Sequence, residues 1–283
     1  MTPLVWFITG ASRGLGRALA KAVLARGDRV VATARDLAEL DDLTGPEHGG
    51  DQDPVLRLRL DVTDTTEIEA AVEEAITREG RIDVLVNNAG RGFVGALEEL
   101  TDAQIDSVFD TNVFGTMHVT RAVLPHMRAQ RSGHVVQMSS VGGVVANPDH
   151  ALYGASKFAI EGMSEALAGE VAEFGIHVTI IEPGPFRTDF AGRSIRYADQ
   201  IDDYRDTAAS ELRKRFPEQD GAQPNDPARA AEAVLQAVYS NNPPLRLPLG
   251  PEAVRRIREK LKNQLADIDD WEKVAVDTRY APS

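Results

Sequence analysis

Short, nearly all-apolar blocks at residues 4–8, 29–33, 83–86, 134–138 and 177–181 alternate with longer stretches whose apolar residues recur every three or four positions. Blocks of that length without a polar side fit strands buried on both faces, and the longer spacing fits amphipathic helices. Residues 55–60 alternate apolar residues with arginine, which predicts a strand with one wetter face. Taken in order these elements read β-α-β-α-β-α-β. That order predicts an α/β fold, a doubly wound parallel sheet of the Rossmann type covered by helices on both sides. Residues 63–78, 152–173 and 227–239 read as helices, with a polar loop at 44–54 and a second loop at 141–150. Residues 101–127 read as one long helical region with irregularities near Asn112, a weak helix former, and near Pro125, which lacks an amide hydrogen. Residues 245–249 predict a short edge strand, because Pro248 cannot donate to a central ladder.

Two later segments break this rhythm. Residues 189–226 carry charges of both signs and few aliphatics, with Phe190, Ile195, Tyr197, Tyr204 and Phe216 scattered among them. Such a segment fits either a mobile lid over a binding site or a solvated surface helix pair. The tail, 251–283, opens as an amphipathic helix with Val254, Ile257, Leu261 and Leu265 on one stripe, as core or subunit packing requires. A chain of 283 residues that is 42% hydrophobic fits one domain over 1–283, with the lid and the tail as parts of it.

Composition narrows the chemistry. The chain has no cysteine, which excludes disulfides, thiol nucleophiles and thiolate metal sites. Its net charge of −13 argues against nucleic acid or an anionic membrane as partner. The block at 4–8 is too short for a signal peptide, and no apolar run reaches the length of a spanning helix. The expectation is a soluble, cytoplasmic protein. Six histidines show no metal-ligand spacing, so no metal is expected.

The first block runs into Thr9-Gly10-Ala11-Ser12-Arg13-Gly14-Leu15-Gly16 and then an amphipathic helix. Strand, glycine loop and helix make a phosphate cradle: glycines allow the close turn, and the helix N-terminus offers free N–H groups. At the end of the second strand stand Ala34 and Arg35. There an acid would read the ribose of NAD, whereas an arginine suits the 2′-phosphate of NADP. With Arg13 as a second cation, the pattern favours NADP(H), with NAD(H) possible; Asp36 competes for the ribose but also fits a helix N-cap. Asp61 and Val62 end the third strand at the edge where such sheets bind ligands. Asn87 and Asn88 follow the fourth, where they either bond a cofactor or tie the loop to its neighbours. Tyr153 and Lys157 are four apart on a predicted helix, which stacks phenol and ammonium on one face. A fixed positive charge lowers a tyrosine pKa and readies it to trade a proton. Ser140 ends the fifth strand, placed to hold the same substrate oxygen.

Together Thr9-Gly10-x3-Gly14-x-Gly16, Asp61-Val62, Asn87-Asn88-Ala89-Gly90, Asn112, Ser140, Tyr153-x3-Lys157 and Pro183-Gly184 resemble the short-chain dehydrogenase/reductase family, over residues 4 to about 188. The resemblance implies hydride transfer between a nicotinamide and a carbonyl or alcohol substrate. Tyr153 would be the acid/base, Ser140 the group polarising the carbonyl, Lys157 the binder of the nicotinamide ribose, and Asn112 part of a proton relay. It assigns the pyrophosphate to the loop of Gly10, Ser12, Arg13, Gly14, Leu15 and Gly16, and the adenine to Asp61 and Val62. Asn88 and Gly90 would flank the adjacent ribose, with Pro183, Gly184 and Thr188 at the nicotinamide. It also implies a homodimer or homotetramer, and the run around Tyr153 is similar to hydroxysteroid and retinol dehydrogenases. Phe93, Val145, Phe186, Phe190 and Tyr197 are candidate pocket walls for a hydrophobic substrate. A cofactor-binding sensor with little turnover is the alternative, although such a protein need not keep Ser140, Tyr153 and Lys157 together.

Overall fold

A computed structural model describes residues 2–45 and 53–280. Residues 46–52 of the expected polar loop, and the last three of the tail, lie outside the described residues. The first strand, β1 (Val5–Ile8), shows how the sheet is built. Trp6 and Ile8 enter the core on one side, Val5 and Phe7 the core on the other, as the two-residue period of a strand dictates. With both faces covered, all four are buried.

In chain order follow α1 (Gly14–Ala25), β2 (Arg29–Ala34), β3 (Val55–Arg59), α2 (Thr65–Glu79), β4 (Val84–Asn87) and β5 (Gly92–Val94). Next come α3 (Asp102–Phe109), α4 (Thr116–Gln130), β6 (Gly133–Met138), α5 (Ala151–Val171), β7 (Ile176–Pro183) and β8 (Ile195–Tyr197). The chain ends with α6 (Glu211–Gln219), α7 (Pro227–Val238), β9 (Arg246–Leu249) and α8 (Pro251–Val276). Seven strands form one sheet in the order β3-β2-β1-β4-β6-β7-β9, paired in parallel throughout. Leu19, Val23 and Leu24 of α1 pack with Ala230, Ala231 and Val234 of α7 on one face. Residues of α2, α4 and α5 cover the other. The fold is thus the α/β Rossmann type, a single domain with a C-terminal helix.

Strand order reverses between β1 and β4, which opens a crevice at the carboxyl ends of the strands. The edge strand β9 pairs with β7, and Pro248 sits there opposite Glu182. The irregularity expected near Asn112 is a π-helical turn, Asp110–Gly115, inserted between α3 and α4. The one expected near Pro125 does not interrupt α4: Pro125 is on the exposed side, where water can serve the carbonyl it leaves free.

The segment 189–226 is not a helix pair. It holds a π turn (Phe190–Ser194), strand β8, two 3-10 turns and the single helix α6. Strand β8 pairs in parallel with β5 to make a separate two-stranded sheet, Phe93 opposite Arg196. Each strand is only three residues long and has one partner, so neither left a readable pattern. On α8, Ala253 and Ile257 pack against Val141, but Leu261 and Leu265 are exposed. Core packing therefore explains only the first two turns of that stripe.

Candidate active site

The crevice holds a cavity of about 520 Å³ that runs from the glycine loop to Phe190, Phe216 and Gln223 of the segment 189–226. Gly10 and Gly14 adopt φ of +64° and +58°, the left-handed region that favours glycine. Gly16 is needed for closeness instead: a Cβ there would lie 2.4 Å from Asn88 Nδ2 and 2.5 Å from the Gly10 carbonyl. No side chain caps the start of α1, so its first N–H groups face the cavity past Ser12, Arg13, Gly14 and Leu15. This cradle fits an anionic phosphate group.

Asn88 resolves the choice between its two expected roles on the side of structure, at least for its amide nitrogen. Nδ2 donates to the Thr9 and Gly10 carbonyls at 2.9 and 3.0 Å, tying the glycine loop to β4. Its remaining surface still lines the cavity. At the end of β2, Arg35 is exposed and lines the cavity, whereas Asp36 accepts from Ala38 N at 3.1 Å and caps a 3-10 turn. Arg13 approaches Glu39 at 4.0 Å, both partly exposed. Burial works against the charge of Asp61, but hydrogen bonds from Thr63 N and Oγ1, with Arg35 and Arg91 nearby, hold its carboxyl below the usual range.

Ser140 follows β6, and its Oγ accepts from Gly142 N at 3.0 Å, which fixes the turn at the strand end. Tyr153 and Lys157 come from the first turns of α5 and are both buried. Lys157 Nζ donates to the Met138 carbonyl at 2.7 Å and lies 5.7 Å from the centre of the Tyr153 ring. Burial pushes the Tyr153 phenol up to about 12, against a hydrogen bond with Ser140. Burial likewise brings Lys157 down to about 8, with Glu161 working the other way. The expected depression of the tyrosine by the lysine is therefore not found in this geometry: the ammonium points at Met138 and desolvation governs both groups.

The cavity wall contains sixteen of the eighteen residues expected to catalyse or to hold the cofactor: Gly10, Ser12, Arg13, Gly14, Leu15, Arg35, Asp61, Val62, Asn88, Gly90, Ser140, Tyr153, Lys157, Pro183, Gly184 and Thr188. Gly16 stands behind the wall, and so does Asn112. The Asn112 amide is spent internally: Oδ1 accepts from Arg91 N, and Nδ2 donates to the Arg91 carbonyl and Ser156 Oγ, all within 3.0 Å. Among the expected pocket walls, Phe93, Phe186 and Phe190 line the cavity. Val145 and Tyr197 do not: Val145 packs with Val141 and Ala253, and Tyr197 with Val94, Ile195 and Leu212.

Four contributors had no signal of their own in the sequence. His150 stacks on Tyr153 with ring centres 4.4 Å apart, and burial lowers it to about 4, so it is neutral there. Arg91 lines the wall beside Arg35, its Nη1 donating to Ser107 Oγ at 2.7 Å. Glu252 and Arg256 reach the rim from α8, where Arg256 Nη2 donates to Asn147 Oδ1 at 2.6 Å.

Comparison with known proteins identifies the arrangement. A family profile described as short chain dehydrogenase matches residues 4–197. A 3-ketodihydrosphingosine reductase of Bacteroides thetaiotaomicron is 38% identical over 269 residues, 94% of this chain and 95% of its own. Human retinol dehydrogenase 8 is 35% identical over 257 residues, 86% of this chain and 80% of its own. A crystal structure of a short-chain dehydrogenase from Streptomyces avermitilis superposes with a TM-score of 0.89 at 42% identity, covering 98% of this chain and all of the other.

Proposed function

Since the chain belongs to the short-chain dehydrogenase/reductase family and is an oxidoreductase of alcohol and carbonyl groups, we propose that it is NADP(H)-dependent and acts on a hydrophobic small molecule. The observation that carries the reading is the meeting of Ser140, Tyr153 and Lys157 on one cavity wall that continues to the glycine loop. The loop and the open start of α1 would hold the pyrophosphate, Asp61 and Val62 the adenine, and Thr188, Pro183 and Gly184 the nicotinamide. When bound, the cofactor supplies or accepts the hydride.

The chain's own residues do the rest. Ser140 Oγ and the phenol of Tyr153 hold the substrate oxygen, and Tyr153 gives it a proton during reduction. With its pKa near 12, Tyr153 carries that proton at neutral pH. Asn112 would act indirectly, by fixing the Arg91 backbone beside Gly90, rather than on substrate. Phe93, Phe186 and Phe190, with His150, give the substrate end an apolar lining, and 189–226 forms its lid. The relative named for 3-ketodihydrosphingosine agrees with a long apolar carbonyl substrate. The chain works as a homo-oligomer.

Arg35 supports NADP(H), because it meets the cavity while Asp36 is engaged as a cap. Fluorescence and thermal-shift titrations should show NADPH binding roughly tenfold or more tighter than NADH, and Arg35→Asp should erase that margin. Tighter NADH binding by the native chain overturns the cofactor assignment. Turnover of a ketone panel with the better binder tests the reaction. The pH profile of reduction follows from Lys157: it is charged below about 8 and neutral above, while Tyr153 stays protonated. The rate constant kcat/KM is expected to be flat near pH 6–7 and to fall roughly tenfold per unit above about 8.5. A profile still rising at pH 9 contradicts it.

A further inference from the structure

Beyond Ile257, α8 leaves the body of the protein, and residues 261–280 are all exposed. The apolar stripe does not stop there. Leu261, Leu265 and Ile268 continue it at spacings of four and three, with Trp271 and Val274 following, and Leu265 and Trp271 are 61% and 66% exposed. A projecting helix of this length is marginal in water without a partner for its apolar side.

The charges on the same helix are sorted. Residues 255–262 carry Arg255, Arg256, Arg258, Lys260 and Lys262 against the one acid Glu259. Residues 263–276 carry Asp267, Asp269, Asp270 and Glu272 against the one cation Lys273. Each half repels itself, since Arg256 and Lys260, Arg258 and Lys262, or Asp267 and Asp270 are three or four positions apart. Among the described residues the ion pair found in α8 is Arg256 with Glu252, at the helix base. Sorted charge flanking an apolar stripe is complementary to one arrangement above others, a copy of itself lying antiparallel. A parallel copy would set like against like, and an anionic lipid surface would repel the acidic half.

We propose that α8 is a pairing helix, joined antiparallel across a twofold axis to α8 of a second copy. With the axis beside Leu265, Lys262 faces Asp269 and Arg258 faces Glu272 along one flank of the stripe, each twice, as an isologous contact demands. This names the surface of the homo-oligomer proposed above and rests on that reading.

Sedimentation velocity on the full chain tests it with two charge variants, Arg258→Glu/Lys262→Glu and Asp269→Lys/Glu272→Lys. Each alone should weaken self-association roughly tenfold or more, and the two mixed should associate at least as well as the native chain, because every facing pair is then opposite in sign. Recovery on mixing also shows that both variants are folded. Leu265→Asp should weaken association in either background. A native chain that is monomeric at about 100 μM, or a mixture that does not recover, overturns the proposal. An oligomer indifferent to all three changes overturns this surface and leaves self-association intact, through other helices. Co-sedimentation of a monomeric chain with phosphatidylcholine vesicles through the same stripe would replace the second copy with a lipid surface.

Discussion

Tyr153→Phe lowers kcat for carbonyl reduction by roughly a thousandfold while the affinity for NADPH stays within about threefold. The substitution removes one oxygen and keeps the ring that stacks on His150 and meets Phe190 at 5.7 Å. Packing around the ring is therefore conserved. What disappears is the proton donor and its hydrogen bond with Ser140. Lys157 keeps its bond to the Met138 carbonyl and so its place in the wall. Steady-state kinetics with the native and substituted proteins, alongside cofactor titration, separate the two effects. Residual activity within tenfold of native would remove Tyr153 from the chemistry, and joint loss of binding and turnover would make its role structural.

The second large effect is expected at Gly16. Gly16→Val places a branched side chain where a single Cβ already lies 2.4 Å from Asn88 Nδ2 and 2.5 Å from the Gly10 carbonyl. Neither neighbour can yield cheaply, because Asn88 holds the loop through the Thr9 and Gly10 carbonyls. The loop must shift, at a cost of about 2–4 kcal/mol in stability, and cofactor binding should be lost within the measurable range. Removing the amide as well, in Gly16→Val/Asn88→Ala, should not restore binding, since the Gly10 carbonyl remains in the way. Gly14→Ala is the contrasting case. Its Cβ would meet Thr188 at an ordinary 3.6 Å, so only the left-handed backbone is penalised, by about 1 kcal/mol. Thermal shift with and without NADPH orders the three variants, and equal losses at Gly14 and Gly16 would show that backbone conformation, not proximity, governs the loop.

What was legible in the sequence is what repeats or is doubly buried. The strands beside β1 read clearly because neither face tolerates a polar side chain, and the glycine loop because its spacing has few other uses. Tyr153 and Lys157 read clearly because a helix enforces their spacing. The segment 189–226 was opaque for the opposite reason: β5 and β8 are three residues each, and their partners lie about a hundred positions away. Distance in sequence also hid His150, whose role depends on a stack that α5 creates as it begins. Asn112 was legible as a polar residue at an irregularity, but its partners were not. A single π turn rotates it toward Arg91 and Ser156, and residue spacing alone carries no sign of such a turn. The same holds for the tyrosine pKa, where helical spacing brought the ammonium near but burial outweighed it.

The small β5–β8 sheet divides the segment 189–226 into a part that is packed and a part that lies on the surface. On one side Phe93 packs with Val108 and Leu152; on the other Val94 packs with Ile195 and Leu212. Glu99 secures the next stretch, accepting from Ile201 N at 2.9 Å and pairing with Arg213. Between those anchors, residues 202–209 run mostly over the surface in short turns. None of these eight residues lines the cavity, so insertions or deletions there should leave both strands and the cavity wall in place. A change of length at 202–209 is therefore expected to leave substrate range unaltered, whereas a substitution at Leu212, which both lines the cavity and packs on β8, touches substrate range and stability together.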